Sequence, residues 1–232
     1  MLAGPNGSGK SSLVPLLSET IVLGISINAD EIETSMREQG RLLFETWNLN
    51  LVEADLAAFL GMAVAQRLPA DVLAQLHISD NSLFWGRAAI NSYLAAWIAE
   101  FLRYHLLRTR QSILFETVMS HPSKLRFLAD ARAQGYRTYL YFVATADFRI
   151  NQERVLARVA LGGHPVAPDK IEARYHRSLA LLREALSFTD RAFVFDNSGT
   201  RPQLLVEITS GREVTLHADA LPQWLETALD IG

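Results

Sequence analysis

The stretch that most constrains this chain is Gly4-Pro5-Asn6-Gly7-Ser8-Gly9-Lys10-Ser11, which fills every fixed position of the pattern G-x-x-x-x-G-K-[ST]. Glycines here let main-chain N–H groups converge on phosphate oxygens, while Lys10 adds a compact charge and Ser11 a hydroxyl suited to Mg²⁺. A helix starting near Lys10, with Ser12 in its first turn, would add its positive end. The stretch therefore predicts a loop that cradles the phosphates of ATP or GTP. The competing reading is a Gly/Ser-rich turn that matches by accident. Against it, all four fixed positions are filled, and the chain has only three lysines, Lys10, Lys124 and Lys170, one of which stands where a small ammonium suits phosphate. Only three residues precede Gly4, so the strand feeding the loop is expected to be short or to begin upstream of Met1.

The 232 residues suffice for one large or two small domains, and no linker, repeat or low-complexity tract divides them. A single domain over 1–232 is expected. The net charge of −3 argues against broad nucleic-acid binding. The absence of cysteine excludes disulfides, thiolate metal sites and a cysteine nucleophile, and fits a cytoplasmic location. No leader pattern is visible, and the most apolar segment, 88–107, carries Asn91, Ser92, Glu100, Arg103 and His105. It reads as a buried helix, so no membrane partner is expected.

Downstream of the loop, Ser11 to Leu17 reads as a helix and Ile21 to Ile27 as a strand buried on both faces. Segment 49–110 reads as a helical insertion, with a loop at Ser79-Asp80-Asn81-Ser82 and a long helix from Gly86, about 35 Å if it runs to Arg110. Its stripe Ile90, Tyr93, Leu94, Trp97, Ile98 and Phe101 is a core face. Trp47 and Trp85 lie nearer loop-like stretches, where packing is the first reading and pocket lining the second. Strands at Ser112–Phe115, Thr138–Val143 and Ala192–Phe195 alternate with helices at Lys124–Gln134 and Asp147–Val159. With the glycine loop at its head, that rhythm predicts an α/β fold of the P-loop NTPase type, with a mostly parallel central sheet and helical crossovers. A hairpin over Leu204–Ile208 and Glu213–Leu216 and a helix over Leu221–Ile231 close the chain.

Four places carry candidate chemistry. Asp30 follows the second strand, where open sheets bind ligands. It reads equally as the cap of the next helix, with Glu33 completing a capping box, or as the base that takes a proton from a substrate hydroxyl. Glu116 and Thr117 stand at the end of the third strand, placed to hold Mg²⁺ through water, to bind a substrate hydroxyl, or to brace a neighbouring loop. Segment 147–187 reads as a lid: two arginine-bearing helices meet at Gly162-Gly163-His164-Pro165, and Arg154, Arg158, Arg174 and Arg177 could close on a phosphoryl group. The alternative is a solvated hairpin whose arginines pair with Glu153, Asp169 and Glu172. Asn197, in Asp196-Asn197-Ser198-Gly199, either contacts the nucleotide base or forms a turn.

In order, these residues resemble the zeta-toxin family of P-loop kinases, especially its stand-alone bacterial members. The resemblance rests on the phosphate loop, Asn28-Ala29-Asp30-Glu31-Ile32, Phe115-Glu116-Thr117, Arg154-Val155, Arg158-Val159, Gly162-Gly163-His164-Pro165-Val166, Arg174-Tyr175 with Ser178-Leu179, and Asp196-Asn197-Ser198-Gly199. It implies a three-layered, adenylate-kinase-like kinase fold that uses ATP or GTP with Mg²⁺, with Asp30 as base, Ser11 on the metal, and Lys10 and lid arginines neutralising phosphates; among those arginines Arg158 and Arg174 are assigned the role. Asp30, Glu116, Thr117 and His164 would contact the acceptor, a nucleotide sugar such as UDP-N-acetylglucosamine. An antitoxin protein is the implied partner. Where the toxins carry an Arg shortly after Glu-x-Thr, this chain has Glu116 and Thr117 adjacent and then Val118, Met119 and Ser120.

Overall fold

A computed structural model describes residues 1–163 and 165–230, which separate into two compact units, one of 1–23 with 116–232 and one of 24–115. In chain order the first unit begins with β1 (Leu2–Ala3) and α1 (Lys10–Ser18). The second comprises β2 (Ile25–Ile27), α2 (Ala29–Gln39), β3 (Leu42–Leu43), a 3₁₀ turn (Phe44–Trp47), α3 (Glu53–Leu60), α4 (Ala70–Leu73), β4 (His77–Ser79), β5 (Ser82–Phe84) and α5 (Ser92–Arg108). Strand β6 (Ile113–Thr117) leads back to the first unit. There follow α6 (Ser123–Ala133), β7 (Tyr139–Ala144), α7 (Phe148–Ala160), α8 (Pro168–Ala180), α9 (Leu182–Ser187), β8 (Arg191–Asp196), β9 (Gln203–Thr209), β10 (Glu213–Leu216) and α10 (Gln223–Leu229).

In the first unit β8, β7, β1 and the last two residues of β6 run parallel, and β9 and β10 join antiparallel as a hairpin beyond β8. The expected α/β fold with a mostly parallel sheet is thus present. Strand β7, Tyr-Leu-Tyr-Phe-Val-Ala, is buried along nearly its whole length, as a strand covered on both faces must be. Asp147 caps α7 by accepting the N–H of Arg149 at 2.8 Å, and Pro168 opens α8 at a position where its missing N–H costs nothing.

The second unit has its own apolar core. Trp97 and Phe101 of α5 meet Phe59 of α3 edge-on, with centroids 5.3 Å away in each case, and Phe44 packs at 5.9 Å from Phe101. Trp47 and Trp85 are buried in or beside this core, as packing residues. Three expectations change here. The second strand shrinks to Ile25–Ile27: Gly24 takes a left-handed conformation, and Ile21 and Val22 before it are exposed. The long helix begins at Ser92, where the Asn91 side chain accepts N–H groups of Tyr93 and Leu94, so it spans 17 residues or about 25 Å. Tyr93 consequently sits on its first turn, exposed, not in the core stripe. Finally, segment 49–110 is not purely helical, because β4 and β5 flank the expected loop, whose Asp80 and Asn81 have φ of 48° and 52°, the left-handed pair a two-residue hairpin needs.

His105, on the buried side of α5, carries a testable consequence. Its Nε2 is buried without a hydrogen-bond partner among the described residues, and its ring packs on Phe101 and Tyr104. Burial lowers its pKa below 6.5, with Asp55 opposing and Arg108 adding to the shift. The unfolded chain therefore takes up a proton that the folded chain resists, so this contribution to stability is complete above pH 6.5 and declines as pH falls below it. Urea unfolding should show a shallower loss of stability below pH 6.5 in His105→Gln than in the parent. Equal slopes would contradict the assignment.

Candidate nucleotide site

The loop leaves β1 at Gly4, whose N–H donates to Thr117 O at 3.2 Å, and enters α1 at Lys10. Gly9, the residue before α1, is left-handed with φ 89° and carries no capping side chain. The first-turn N–H groups of α1 therefore have no side-chain acceptor, which is how a helix start is left ready for an anion. A side chain at Gly9 would also put its Cβ 2.1 Å from Asn197 Nδ2, so the position requires glycine twice over.

Lys10 is buried, and its ammonium donates to Gly4 O at 2.9 Å and Pro5 O at 3.0 Å. The charge the sequence predicted is thus held inside the loop by two main-chain carbonyls. Ser11 and Ser12 are exposed on the first turn of α1, and Ser11 Oγ lies 3.5 Å from Glu116 Oε1. A hydroxyl and a carboxylate so paired are the hard oxygen donors that suit Mg²⁺, one directly and one through water. Ser8 is fully buried, its N–H bonded to Pro5 O at 3.3 Å.

The surroundings brace the loop at several points. Asn197 is buried just after β8, donates its main-chain N–H to Ala144 O at 2.8 Å and donates Nδ2 to Ser8 O at 2.8 Å. Its contact is with the loop's main chain. Asp196 beside it accepts the indole N–H of Trp224 at 2.7 Å and the N–H of Ser198 at 2.8 Å, which fixes the turn. Arg174 of α8 donates to Asn6 Oδ1 at 3.3 Å, and Arg154 of α7 to Gly199 O at 3.0 Å, so neither spends itself on Glu153, Asp169 or Glu172. Arg158 lies on the exposed last turn of α7, against the main chain of Gly163. His164 lies outside the described residues. Thr117 is buried, and its hydroxyl accepts Met119 N–H at 3.1 Å, holding the left-handed turn at Met119.

Sequence reasoning passed over Thr145 and Asn151, and noted Tyr175 within Arg174-Tyr175 without giving it a role. Asn151 is wholly buried and donates Nδ2 to Asn6 O at 2.7 Å. The signal was an amide on the apolar face of α7, four residues before buried Val155, where an asparagine is a poor helix former unless its side chain has partners. Tyr175 OH donates to Thr145 O at 2.6 Å, and burial, with Asp147 and Asp196 nearby, pushes its pKa up to about 12.

In the other unit, the two readings of Asp30 separate. The cap of α2 is Asn28, whose side chain accepts the N–H of Asp30 at 2.9 Å, and Glu33 pairs with Arg37 at 2.6 Å, so no capping box forms on Asp30. Asp30 stands exposed in the first turn, and its carboxylate makes no hydrogen bond or ion pair among the described residues. Asn28 at the cap of α2 and Glu31, Ile32 and Ser35 along it line a cleft of about 360 Å³ with Thr46 and Trp47, whose indole donates to Ser26 O at 3.1 Å. Trp47 therefore serves both packing and a cavity wall. Asp30 faces away from that row of the helix.

Among known proteins, residues 88–202 match the model of the zeta toxin family, a stretch that contains Glu116, Thr117, Arg158, Arg174 and Asn197 but not the phosphate loop or Asp30. No curated protein matches the chain. A chain in the crystal structure of AvrRxo1-ORF1:AvrRxo1-ORF2 with sulphate ions superposes with a TM-score of 0.52 at 12% identity, over 93% of this chain and 60% of that one. This chain thus spans three fifths of that relative's length. A chain from the PezAT chromosomal toxin-antitoxin system of the human pathogen Streptococcus pneumoniae gives 0.52 at 14% identity, over 99% of this chain and 81% of that one. At such identities the likeness is one of fold, and among the described residues no helix is long and apolar enough to cross a membrane. Over residues 88–202, just under half of its length, this chain is thus similar to the zeta toxin family, and over nearly its whole length it shares the fold of the two solved relatives.

Proposed function

We propose that this protein transfers a phosphoryl group from ATP or GTP, with Mg²⁺, to a hydroxyl of a small acceptor. The observation that carries the reading is the loop itself: a helix start with no side-chain cap, beside a buried lysine and an exposed serine. Catalysis of this kind is positioning and charge stabilisation, and the protein's share can be assigned. Main-chain N–H groups of Gly7 and of Gly9 to Ser11 hold the phosphates. Lys10 exchanges its bonds with Gly4 O and Pro5 O for phosphate oxygens. Arg174 and Arg158 supply further positive charge to the group in transit, and Ser11 and Glu116 are the donors for Mg²⁺, which neutralises phosphate charge when bound.

Asp30 is assigned the general base, supported by its position in the resemblance and by an exposed carboxylate with no competing partner among the described residues. Glu116, Thr117 and His164 are assigned to the acceptor, and Asn197 to the nucleotide side through its hold on Ser8. A nucleotide sugar such as UDP-N-acetylglucosamine is the acceptor the resemblance favours, and an antitoxin the partner. Val118-Met119-Ser120, in place of the family arginine, favours testing other acceptors alongside it: free sugars, antibiotics and dinucleotides. Purified protein with MgATP or MgGTP should add one phosphoryl group to a member of that panel, read by mass spectrometry. Tight triphosphate binding with transfer to none of them would reduce the protein to a nucleotide-dependent binding module.

A further inference from the structure

The side of the loop away from Lys10 rests on a chain of hydrogen bonds that no motif predicts. Tyr175 OH of α8 donates to Thr145 O at 2.6 Å, Thr145 Oγ1 donates to Asn151 Oδ1, and Asn151 Nδ2 donates to Asn6 O at 2.7 Å. Thr145 and Asn151 are both fully buried. Next to Asn6, Gly7 sits so close to α7 that a Cβ there would lie 2.4 Å from Asn151 O. The arch of the loop is therefore pressed onto the first turn of α7 and tied to it by one amide.

That amide has two chemically opposite ends: the Asn6 carbonyl can only accept, so it takes Nδ2, and the Thr145 hydroxyl serves the Oδ1 end. A hydroxyl has a single proton; given to Asn151 Oδ1, with Asp147 O the other acceptor at 3.1 Å, it holds the amide in that sense. With the amide reversed, oxygen would meet carbonyl oxygen. Helix α8 meets Asn6 twice from adjacent residues, through this relay from Tyr175 and directly from Arg174 to Asn6 Oδ1.

We propose that Thr145, Asn151 and Tyr175 are positioning residues that set the Asn6 carbonyl and thereby the conformation in which the loop accepts a triphosphate. The proposal rests on the reading that this loop binds one. It makes the α8 helix a determinant of nucleotide affinity through residues that touch no phosphate, because a loop already in its bound shape loses less freedom on binding.

The test uses the full chain and MgATP, with dissociation constants from titration calorimetry. Thr145→Val keeps the shape and removes the hydroxyl, whereas Thr145→Ser keeps the hydroxyl; Tyr175→Phe keeps the ring on Phe148 and removes only the O–H. Thr145→Val and Tyr175→Phe should each weaken MgATP about 5- to 10-fold, with Thr145→Ser within about 2-fold of the parent. Equal affinities for the Val and Ser variants, or parental affinity in both Thr145→Val and Tyr175→Phe, would overturn the proposal. If Thr145→Val does not fold, Tyr175→Phe decides alone. Should the parent itself fail to bind MgATP, the functional reading falls and the positioning role is read separately by amide exchange. The amides of 7–9 must then exchange faster in Tyr175→Phe while those of β9 stay unchanged, and unchanged loop exchange would sink it.

Discussion

Lys10→Met is expected to lower phosphoryl transfer about 10²- to 10³-fold, the scale on which removing one preorganised donor acts in a charge-stabilising site. The ammonium is the one cation the loop encloses, already desolvated and held by Gly4 O and Pro5 O. A methionine fills similar space without charge. The same change leaves two carbonyls without their donor, and hydrogen bonds to a charged group contribute about 1.5 to 3 kcal/mol, so a lowered thermal midpoint should accompany the loss. Lys10→Arg should not restore transfer, since a planar fork does not occupy the place of a compact ammonium. Calorimetry with MgATP separates the two effects: a folded Lys10→Met protein that binds MgATP as the parent does would contradict the site.

Asp30→Asn should reduce the rate of transfer about 10²- to 10⁴-fold, the usual contribution of a general base, with little change in MgATP affinity. The structure makes this variant unusually clean. Asn28, not Asp30, caps α2, and the Asp30 side chain is exposed. Only its favourable charge at the helix start is lost, about 0.3 to 1 kcal/mol. The complementary variant Asn28→Ala should instead cost about 1 kcal/mol of stability. Acceptor turnover by Asp30→Asn at the parental rate would remove Asp30 from the mechanism.

The capping role shows where sequence reasoning had to stop. Asn28-Ala29-Asp30 offers two side chains able to cap the same helix, and which one does depends on where the strand ends. That end depends in turn on pairing with β6, residue by residue from Ile25 to Ile27. Strands β4 and β5 escaped notice for a related reason. Three residues each are too few to show a period of two, and their identity as strands exists only in their mutual pairing.

The arginines of 147–187 make the same point about the site. Their number and spacing were legible, yet the destinations of Arg154 and Arg174, on Gly199 O and Asn6 Oδ1, are contacts across 45 and 168 residues. Asn151 and Asn197 reach the loop across 145 and 189. Nothing in local propensity records which distant turn will come to rest against a given carbonyl.

What the sequence determined by itself is the glycine loop from Gly4 to Ser11 and the alternation of strands and helices around it. Both are written in local physics: a positive φ restricts Gly9 to glycine, and burial on one or both faces sets the spacing of apolar residues. Tertiary structure alone decided what holds the loop, because Asn151, Asn197 and Arg174 become its neighbours only when parallel strands far apart in the chain lie side by side.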